Sequence, residues 1–180
     1  MSVKIKYFVH GTTTDNEKKL ATGWNDGELS EKGIMQAQEL AKTIANEKFD
    51  VVFCSDLKRA IDSSKIDFAG RNIEIIADSR LRECNYGDLN GKDNKLVNYS
   101  EHIFENFPNG ESMQDIENRV KSFLEHLKSN YDGKKVAIVA HKAPQLAIEV
   151  LTLNKTWQEA IATDWRITHA WQAGWDYEVK

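Results

Sequence analysis

The stretch "KKVAIVAH", residues 134–141, predicts the fold class, because an almost unbroken apolar run ends there in a polar residue. Three other stretches share this form: "KIKYFVH" at residues 4–10, "FDVVFCS" at 49–55 and "IEIIADS" at 73–79. All four are rich in β-branched and aromatic residues, which favour strands. Continuous apolar runs of this kind are typical of parallel strands that are buried on both faces. The sequence therefore predicts a largely parallel sheet.

Helical patterns separate the predicted strands. Ser30, Ser55 and Ser112 each precede a helix-like segment and have a side chain that is preferred at a helix N-cap. In the third segment, apolar residues recur at helical spacing and form one stripe for packing against a sheet. The members of this stripe are Met113, Ile116, Val120, Phe123, Leu124 and Leu127. We expect a helix to begin immediately after each of the three serines.

The rest of the chain completes an alternating pattern with one interruption. A last helical region is expected from about residue 144 to 165, and residues 166–179 predict a strand or hairpin at the sheet edge. Residues 81–111 are polar and weakly periodic, and contain three of the ten glycines. Strands that alternate with helices predict a three-layer α/β/α sandwich with a largely parallel central sheet. We expect a single domain over residues 1–180, with a small cap excursion at about 81–111.

Polar residues that could take part in catalysis follow the predicted strands. His10 and His141 each end a strand, Arg59 follows another, and Glu83 stands near the start of the excursion. Ligands of parallel sheets bind beyond the carboxyl ends of the strands, so these four residues could converge on one pocket. Two imidazoles, a carboxylic acid and a guanidinium suit phosphoryl transfer, with a histidine nucleophile, cationic oxygen ligands and an acid for the leaving group.

Composition restricts the partners. The net charge is −4 and no basic stripe occurs, so we expect no nucleic acid partner. The two cysteines form no Cys-x-x-Cys pair and are expected to be reduced thiols. No basic N-terminal segment precedes an apolar run, and no stretch reaches the ~20 apolar residues of a membrane span. We therefore expect a cytoplasmic protein without membrane partners. The oligomeric state stays open, and a homodimer is one option.

Six motifs occur in order along the chain. They are "HGTTTDN" at residues 10–16, "GWNDGELSEKGIMQAQEL" at 23–40, "CSDLKRAIDSS" at 54–64, "LRECNYGDLNG" at 81–91, "PNGES" at 108–112 and "VAIVAH" at 136–141. In this order and at these separations they resemble the motifs of the histidine phosphatases, the phosphoglycerate mutase-like superfamily. The resemblance covers nearly the whole chain. Each motif alone is weakly specific, but six in order are strong support.

The resemblance implies a role for each of the four residues named above. His10 would become a phosphohistidine, and Glu83 would protonate the leaving group and then activate water. Arg59 and His141 would bind phosphoryl oxygens. His10 must be neutral to attack, so we expect a hydrogen bond, from one ring nitrogen to a backbone carbonyl, to hold its tautomer. The resemblance implies no metal and no organic cofactor.

Two positions depart from the family pattern. The family has arginine before the nucleophilic histidine, where this chain has Val9, and often Glu or Gln after His-Gly, where it has Thr12. A cation on a transferring phosphoryl group can contribute roughly 10³–10⁵ in rate, so an uncompensated loss would leave a poor catalyst. Lys142, next to His141, could restore part of the charge from the opposite side. The expected phosphate-binding residues are Gly11, Thr12, Thr13, Asn16 and Lys142.

The leading functional hypothesis is a phosphomonoesterase that hydrolyses a small phosphorylated metabolite through a phosphohistidine on His10. A phosphoglycerate-type mutase is the first alternative; mutases of this kind generally have longer chains, and the short excursion here favours hydrolysis. A catalytically weak phospholigand-binding or regulatory module is the second alternative, because Val9 stands where an arginine is expected. The sequence does not identify the substrate.

Overall fold

The protein, described over all 180 residues by a computed structural model, alternates strands with helices. The strands are β1 (Val3–Val9), β2 (Leu20–Ala21), β3 (Val51–Cys54), β4 (Ile75–Ala77), β5 (Lys92–Asp93), β6 (Lys135–Ala140) and β7 (Trp175–Val179). The helices are α1 (Thr14–Glu17), α2 (Glu31–Thr43), α3 (Lys58–Asp67), α4 (Met113–Asn130), α5 (Lys142–Leu153), α6 (Trp157–Ala162) and α7 (Trp165–Thr168).

The main sheet has five strands in the order β4-β3-β6-β1-β7. The first four strands are parallel to their neighbours, and only β7 runs antiparallel, against β1. In this register Phe8 lies beside Val139, so that β1 and β6 end together with His10 and His141 next to each other. The predicted sandwich with a largely parallel sheet is confirmed.

Helices cover both faces of this sheet because side chains alternate along each strand. Tyr7 packs into a large core with α4 and α5, whereas Phe8 packs into a smaller core on the opposite face with Ile44 and Phe68. All six residues of the predicted α4 stripe are buried. Ser112 accepts a hydrogen bond from the N–H of Asp115 as its helix cap.

One local prediction was wrong at a helix boundary, while Ser30 caps α2 as expected. Ser55 does not cap α3, because residues 56 and 57 separate it from the helix; its hydroxyl accepts a hydrogen bond from the N–H of Leu57 at 3.2 Å. The region from about 144 to 165 is helical as predicted, and it is divided into two main helices. Asn154 takes the left-handed conformation, with φ of 54°, and ends α5, after which Thr156 caps α6.

The C-terminal segment is only partly the expected strand. Residues 175–179 form the edge strand β7, but the residues just before them include helix α7. Asp164 starts this helix, since its carboxylate accepts a hydrogen bond from the N–H of Arg166 at 3.1 Å. Trp, Ile and Thr side chains favour strands locally, and this cap overrides them.

The excursion lies at the carboxyl ends of the parallel strands. It contains 3₁₀ turns at Gly87–Leu89, Asn94–Leu96 and Tyr99–Glu101, and its strand β5 pairs with β2 in a separate two-stranded sheet. Because of this pairing the excursion is joined to the segment that follows β1. None of the helices has the length and apolar character required to cross a membrane.

Candidate active site

A cavity of about 790 Å³ opens where the parallel strands end. Its walls come from the loop after β1, from α3, from the excursion, and from the region of α5, α6 and α7. Eight of the nine residues predicted from sequence line it: His10, Gly11, Thr12, Asn16, Arg59, Glu83, His141 and Lys142. Thr13 does not. Residues as far apart as 10 and 142 in sequence are therefore assembled at one place by the sheet.

The tautomer of His10 is set by its neighbour. Its Nδ1 lies 2.7 Å from the carbonyl oxygen of Gly11. A carbonyl oxygen can only accept, so Nδ1 carries the proton and Nε2 has the free lone pair. This is the hydrogen bond expected from the sequence. Burial lowers the pKa of His10 to about 3, and the charge of Arg59 contributes to this shift. The ring is therefore neutral at pH 7.

His141 faces His10, with the ring centroids 4.9 Å apart. The hydroxyl of Tyr7 fixes the backbone of His141, because it donates to the carbonyl oxygen at 2.7 Å and accepts from the N–H at 3.0 Å. Both ring nitrogens of His141 are buried without a hydrogen-bond partner. Burial, with the positive charge of Arg59, lowers the pKa of His141 well below its ordinary value. An unpartnered buried imidazole is suited to receive a ligand.

Arg59 reaches the cavity from the first turn of α3 and is 2% exposed. Its Nη2 donates to the carbonyl oxygen of Gly23 at 2.8 Å, and its Nη1 donates to that of Asn25 at 3.2 Å. These bonds hold the planar guanidinium in one orientation. The remaining N–H groups are free to bind an anion.

The side chain of Glu83, which belongs to the excursion, contacts the N-terminus of α5 just after His141. Its Oε1 accepts hydrogen bonds from the N–H groups of Cys84 at 2.8 Å and Ala143 at 3.0 Å. Its Oε2 accepts one longer bond, 3.2 Å, from the N–H of Lys142. Oε2 therefore keeps a lone pair for a further hydrogen bond. The hydroxyl of Tyr99 also approaches Oε1, at 3.3 Å.

The loop after β1 is held by side chains of α2 and α3. The N–H of Gly11 donates to Ser63 Oγ at 2.9 Å, and both the N–H and the hydroxyl of Thr12 donate to Gln36. Thr13 is fully buried and caps α1 by accepting from the N–H of Asn16. The Thr13 hydroxyl therefore acts within the loop and lies outside the cavity wall.

Lys142 lines the cavity, and its ammonium is ion-paired. Lys142 Nζ lies 3.3 Å from Asp164 Oδ2 and 4.6 Å from the ring centroid of Tyr99. The side chain is 32% exposed, whereas that of Asp164 is fully buried. The ammonium group therefore lies along the cavity wall, where it is paired with Asp164, the N-cap residue of α7.

The sequence model of the histidine phosphatase superfamily (branch 1) matches residues 8–175. The chain belongs to this superfamily. A 2,3-bisphosphoglycerate-dependent phosphoglycerate mutase of Rhizobium meliloti is 36% identical over 178 residues, covering 89% of this chain and 84% of the mutase. Phosphoserine phosphatase 1 of Hydrogenobacter thermophilus is 30% identical over 170 residues, covering 86% and 80%. The crystal structure of the alpha-ribazole phosphatase from Shigella flexneri superposes with a TM-score of 0.77 at 26% identity, covering 90% and 84%.

Sequence reasoning missed two residues with ionisable side chains that line the cavity, Asp67 and Arg166. A signal existed for Asp67, because it lies four and eight residues after Ser63 and Arg59 and thus shares their buried helix face. No comparable signal existed for Arg166, since its segment was expected to be a strand. No cluster of three or more His, Cys, Asp or Glu side chains suited to hold a metal ion occurs.

Proposed function

We propose that the protein is a phosphomonoesterase that hydrolyses a small phosphorylated metabolite through a phosphohistidine on His10. The observation that carries this proposal is the facing pair of neutral imidazoles, one with its Nε2 free and the other without any hydrogen-bond partner. Arg59 and Glu83 line the same cavity. A nucleophile, oxygen ligands and a proton donor are thus close together, as phosphoryl transfer requires.

In the first step, His10 Nε2 attacks phosphorus and forms an N–P bond while the bond from phosphorus to the leaving oxygen breaks. Protonated Glu83 gives its proton to that oxygen, and the alcohol departs. In the second step, Glu83 takes a proton from water as the water oxygen attacks phosphorus. The N–P bond then breaks, inorganic phosphate leaves, and the lone pair returns to Nε2. Arg59 and His141 bind the phosphoryl oxygens in both steps.

The remaining predicted ligands form the wall around the phosphoryl group. Gly11, Thr12 and Asn16 line the cavity beside His10, and Lys142 lines it beside His141. We propose that Lys142 contributes a positive charge to the bound phosphoryl group. Thr13 supports this site indirectly, through its cap of α1.

The size of the cavity supports a small substrate, since about 790 Å³ falls in the usual range of metabolite pockets. The names of the relatives point the same way. Phosphoglycerate, phosphoserine and alpha-ribazole phosphate are all small organic phosphates. We therefore propose a phosphomonoester of a small organic alcohol as the substrate class.

A mutase remains the second candidate, and one observation favours it. The chain covers 84% of the length of the Rhizobium meliloti mutase, so chain length does not separate the two activities as the sequence had suggested. A mutase must keep water from the phosphohistidine and return the phosphoryl group to a second hydroxyl. Phosphoglycerate interconversion that requires a bisphosphate would identify this activity.

The test is phosphate release from a panel of phosphometabolites and p-nitrophenyl phosphate by wild type and His10→Ala. We expect turnover by wild type and none by His10→Ala, which should remain folded because His10 lines the cavity and belongs to neither hydrophobic core. His126→Ala is the matched control, since His126 lies on α4 outside the cavity. Rapid quenching should trap an acid-labile, base-stable phosphoryl adduct on His10.

Three results would contradict the proposal: undiminished turnover by His10→Ala, an adduct on a different residue, or phosphate binding by wild type without turnover. The last result would favour the phospholigand-binding module instead. The mutase is distinguished from that module by a separate assay, in which phosphoglycerate is interconverted only when a bisphosphate is present.

A further inference from the structure

The charge of the cavity depends on one arginine that no motif indicated. Five side chains on its lining are cationic or acidic: Arg59, Lys142, Arg166, Asp67 and Glu83. Burial raises the pKa of Asp67 to about 8, so at pH 7 this carboxyl is mostly protonated. A bound phosphomonoester brings a charge of about −1.5 to −2. Without Arg166 the positive charge on the cavity wall would come from Arg59 and Lys142 only.

Arg166 is anchored to the helix that begins at the second histidine. Its Nη2 donates to Gln145 Oε1 at 3.1 Å, and its Nη1 donates to Asp164 Oδ1 at 2.9 Å. Gln145 is fully buried and stands on α5, one helical turn after His141. These two hydrogen bonds hold the guanidinium in one orientation on the cavity wall.

Arg166 also affects the two histidines electrostatically and keeps donors for a ligand. Although burial is the main cause of the lowered pKa values of His10 and His141, the positive charge of Arg166 contributes to both. The side chain also retains donors for a ligand. A guanidinium has five N–H groups, and these two hydrogen bonds use two of them.

Val9, the residue before His10, contributes no positive charge to the cavity. Val9 ends β1 and lines the same cavity as Arg166, yet its side chain has no donor and no charge. It packs at the edge of the core that contains Tyr7 and Ala140. A cation at the cavity wall must therefore come from another element, and α7 provides one.

We propose that Arg166 binds the phosphoryl group of the substrate and supplies the positive charge that Val9 cannot. This inference rests on the proposed function, in which His10 and His141 hold the phosphoryl group between them. Asp164 is a positioning residue in this arrangement, because its buried carboxylate contacts both Arg166 and Lys142.

The experiment measures two quantities for wild type, Arg166→Gln and Arg166→Lys: the Kd for inorganic phosphate and kcat/KM for p-nitrophenyl phosphate. Arg71→Gln is the matched control, since it removes the same charge from an arginine outside the cavity that binds backbone carbonyl groups. Lys142→Gln is measured for comparison. Thermal unfolding verifies that each variant is folded.

We expect Arg166→Gln to lower kcat/KM by about 10²-fold, a typical loss for one preorganised charge stabiliser, and to weaken phosphate binding. Arg166→Lys should retain part of both, and Lys142→Gln should lose less than Arg166→Gln because its ammonium is a point charge. Adding Val9→Arg to Arg166→Gln should raise kcat/KM at least about tenfold above that of Arg166→Gln alone. Arg71→Gln should match wild type.

Phosphate binding by Arg166→Gln that is as tight as in wild type would overturn the inference and leave the proposed function intact. A loss that neither Arg166→Lys nor Val9→Arg restores would also overturn it, because charge would not be the property removed. If wild type binds phosphate without turnover and Arg166→Gln loses this binding, the proposed function fails and the inference holds.

Discussion

At the scale of single residues, the chemistry of the site follows from two histidines with unlike environments. The carbonyl group of Gly11 fixes the tautomer of His10, whereas His141 has no partner for either ring nitrogen. Both rings are neutral because burial disfavours the imidazolium. A neutral ring can attack phosphorus, and a second neutral ring can accept or share a proton from a phosphoryl oxygen.

The pH dependence of the free enzyme tests this assignment. With the pKa of His10 lowered to about 3, the nucleophile remains unprotonated as the pH falls from 7 to 5. We expect kcat/KM for p-nitrophenyl phosphate to show no loss from histidine protonation in this interval, where an ordinary histidine with a pKa near 6.5 would lose most of its free base. Histidine NMR on the ligand-free protein provides the direct measurement, and His126→Ala helps to assign the signals. Titration of His10 near pH 6.5 would contradict the interpretation.

At the scale of elements, the nucleophile is placed by a close contact between a loop and a helix. A Cβ atom added to Gly11 would lie 2.4 Å from the carbonyl oxygen of Gly33, and one added to Gly33 would lie 2.0 Å from that of Thr12. Both distances are shorter than any normal contact. The loop after β1 and the first turn of α2 therefore approach each other through two glycines, and a side chain at either would push the backbone apart.

Gly11→Ala should therefore reduce activity more than stability. The methyl group must displace the loop that carries His10 and holds its tautomer, so we expect kcat/KM to fall by at least about 10²-fold, the loss that a misplacement of about 1 Å can cause. Gly70→Ala is the contrasting control: a Cβ atom there would contact nothing within 4 Å, but the φ of +72° makes alanine strained, so this variant should lose stability and keep its activity. Activity of Gly11→Ala near that of wild type, measured on the same substrate, would show that the loop can shift without harm.

At the scale of the whole molecule, one buried acid links the site to the free energy of unfolding. Asp67 is 2% exposed, and neither carboxyl oxygen has a hydrogen-bond partner. Burial raises its pKa to about 8. The folded state therefore binds one proton more than the unfolded state between about pH 4 and pH 8, and stability must fall as the pH rises through this range.

This effect dominates from about pH 7 to about pH 8. At lower pH the two histidines with lowered pKa act in the opposite sense, because the unfolded state then binds the extra protons. As their contribution fades, the free energy of unfolding of wild type should decrease with pH, by less than the roughly 1.4 kcal/mol per pH unit of one whole proton. Asp67→Asn should remove this slope, as measured by urea denaturation at several pH values. Asp62→Asn, on the more exposed side of α3, should keep the slope, and a flat wild-type profile would refute the prediction.

Sequence alone determined the features that depend on local pattern. Continuous apolar runs predicted the parallel strands, serine caps predicted two of three helix starts, and the motifs marked His10, Arg59, Glu83 and His141. The helix and strand signals can be read from the sequence because burial determines where apolar residues occur. A strand buried on both faces gives a continuous apolar run, and a helix buried on one face gives apolar residues at helical spacing.

Only the tertiary structure decided which groups surround these residues. The tautomer of His10 depends on a backbone carbonyl group, and the same cavity is lined by Arg166, 156 positions further along the chain. The local preference of residues 166–179 for a strand concealed that cation, because the cap at Asp164 and the bond to Gln145 hold α7 in place. Such contacts join elements that are distant in sequence, so they leave no local sequence pattern. Only the folded chain brings these charged groups to one cavity.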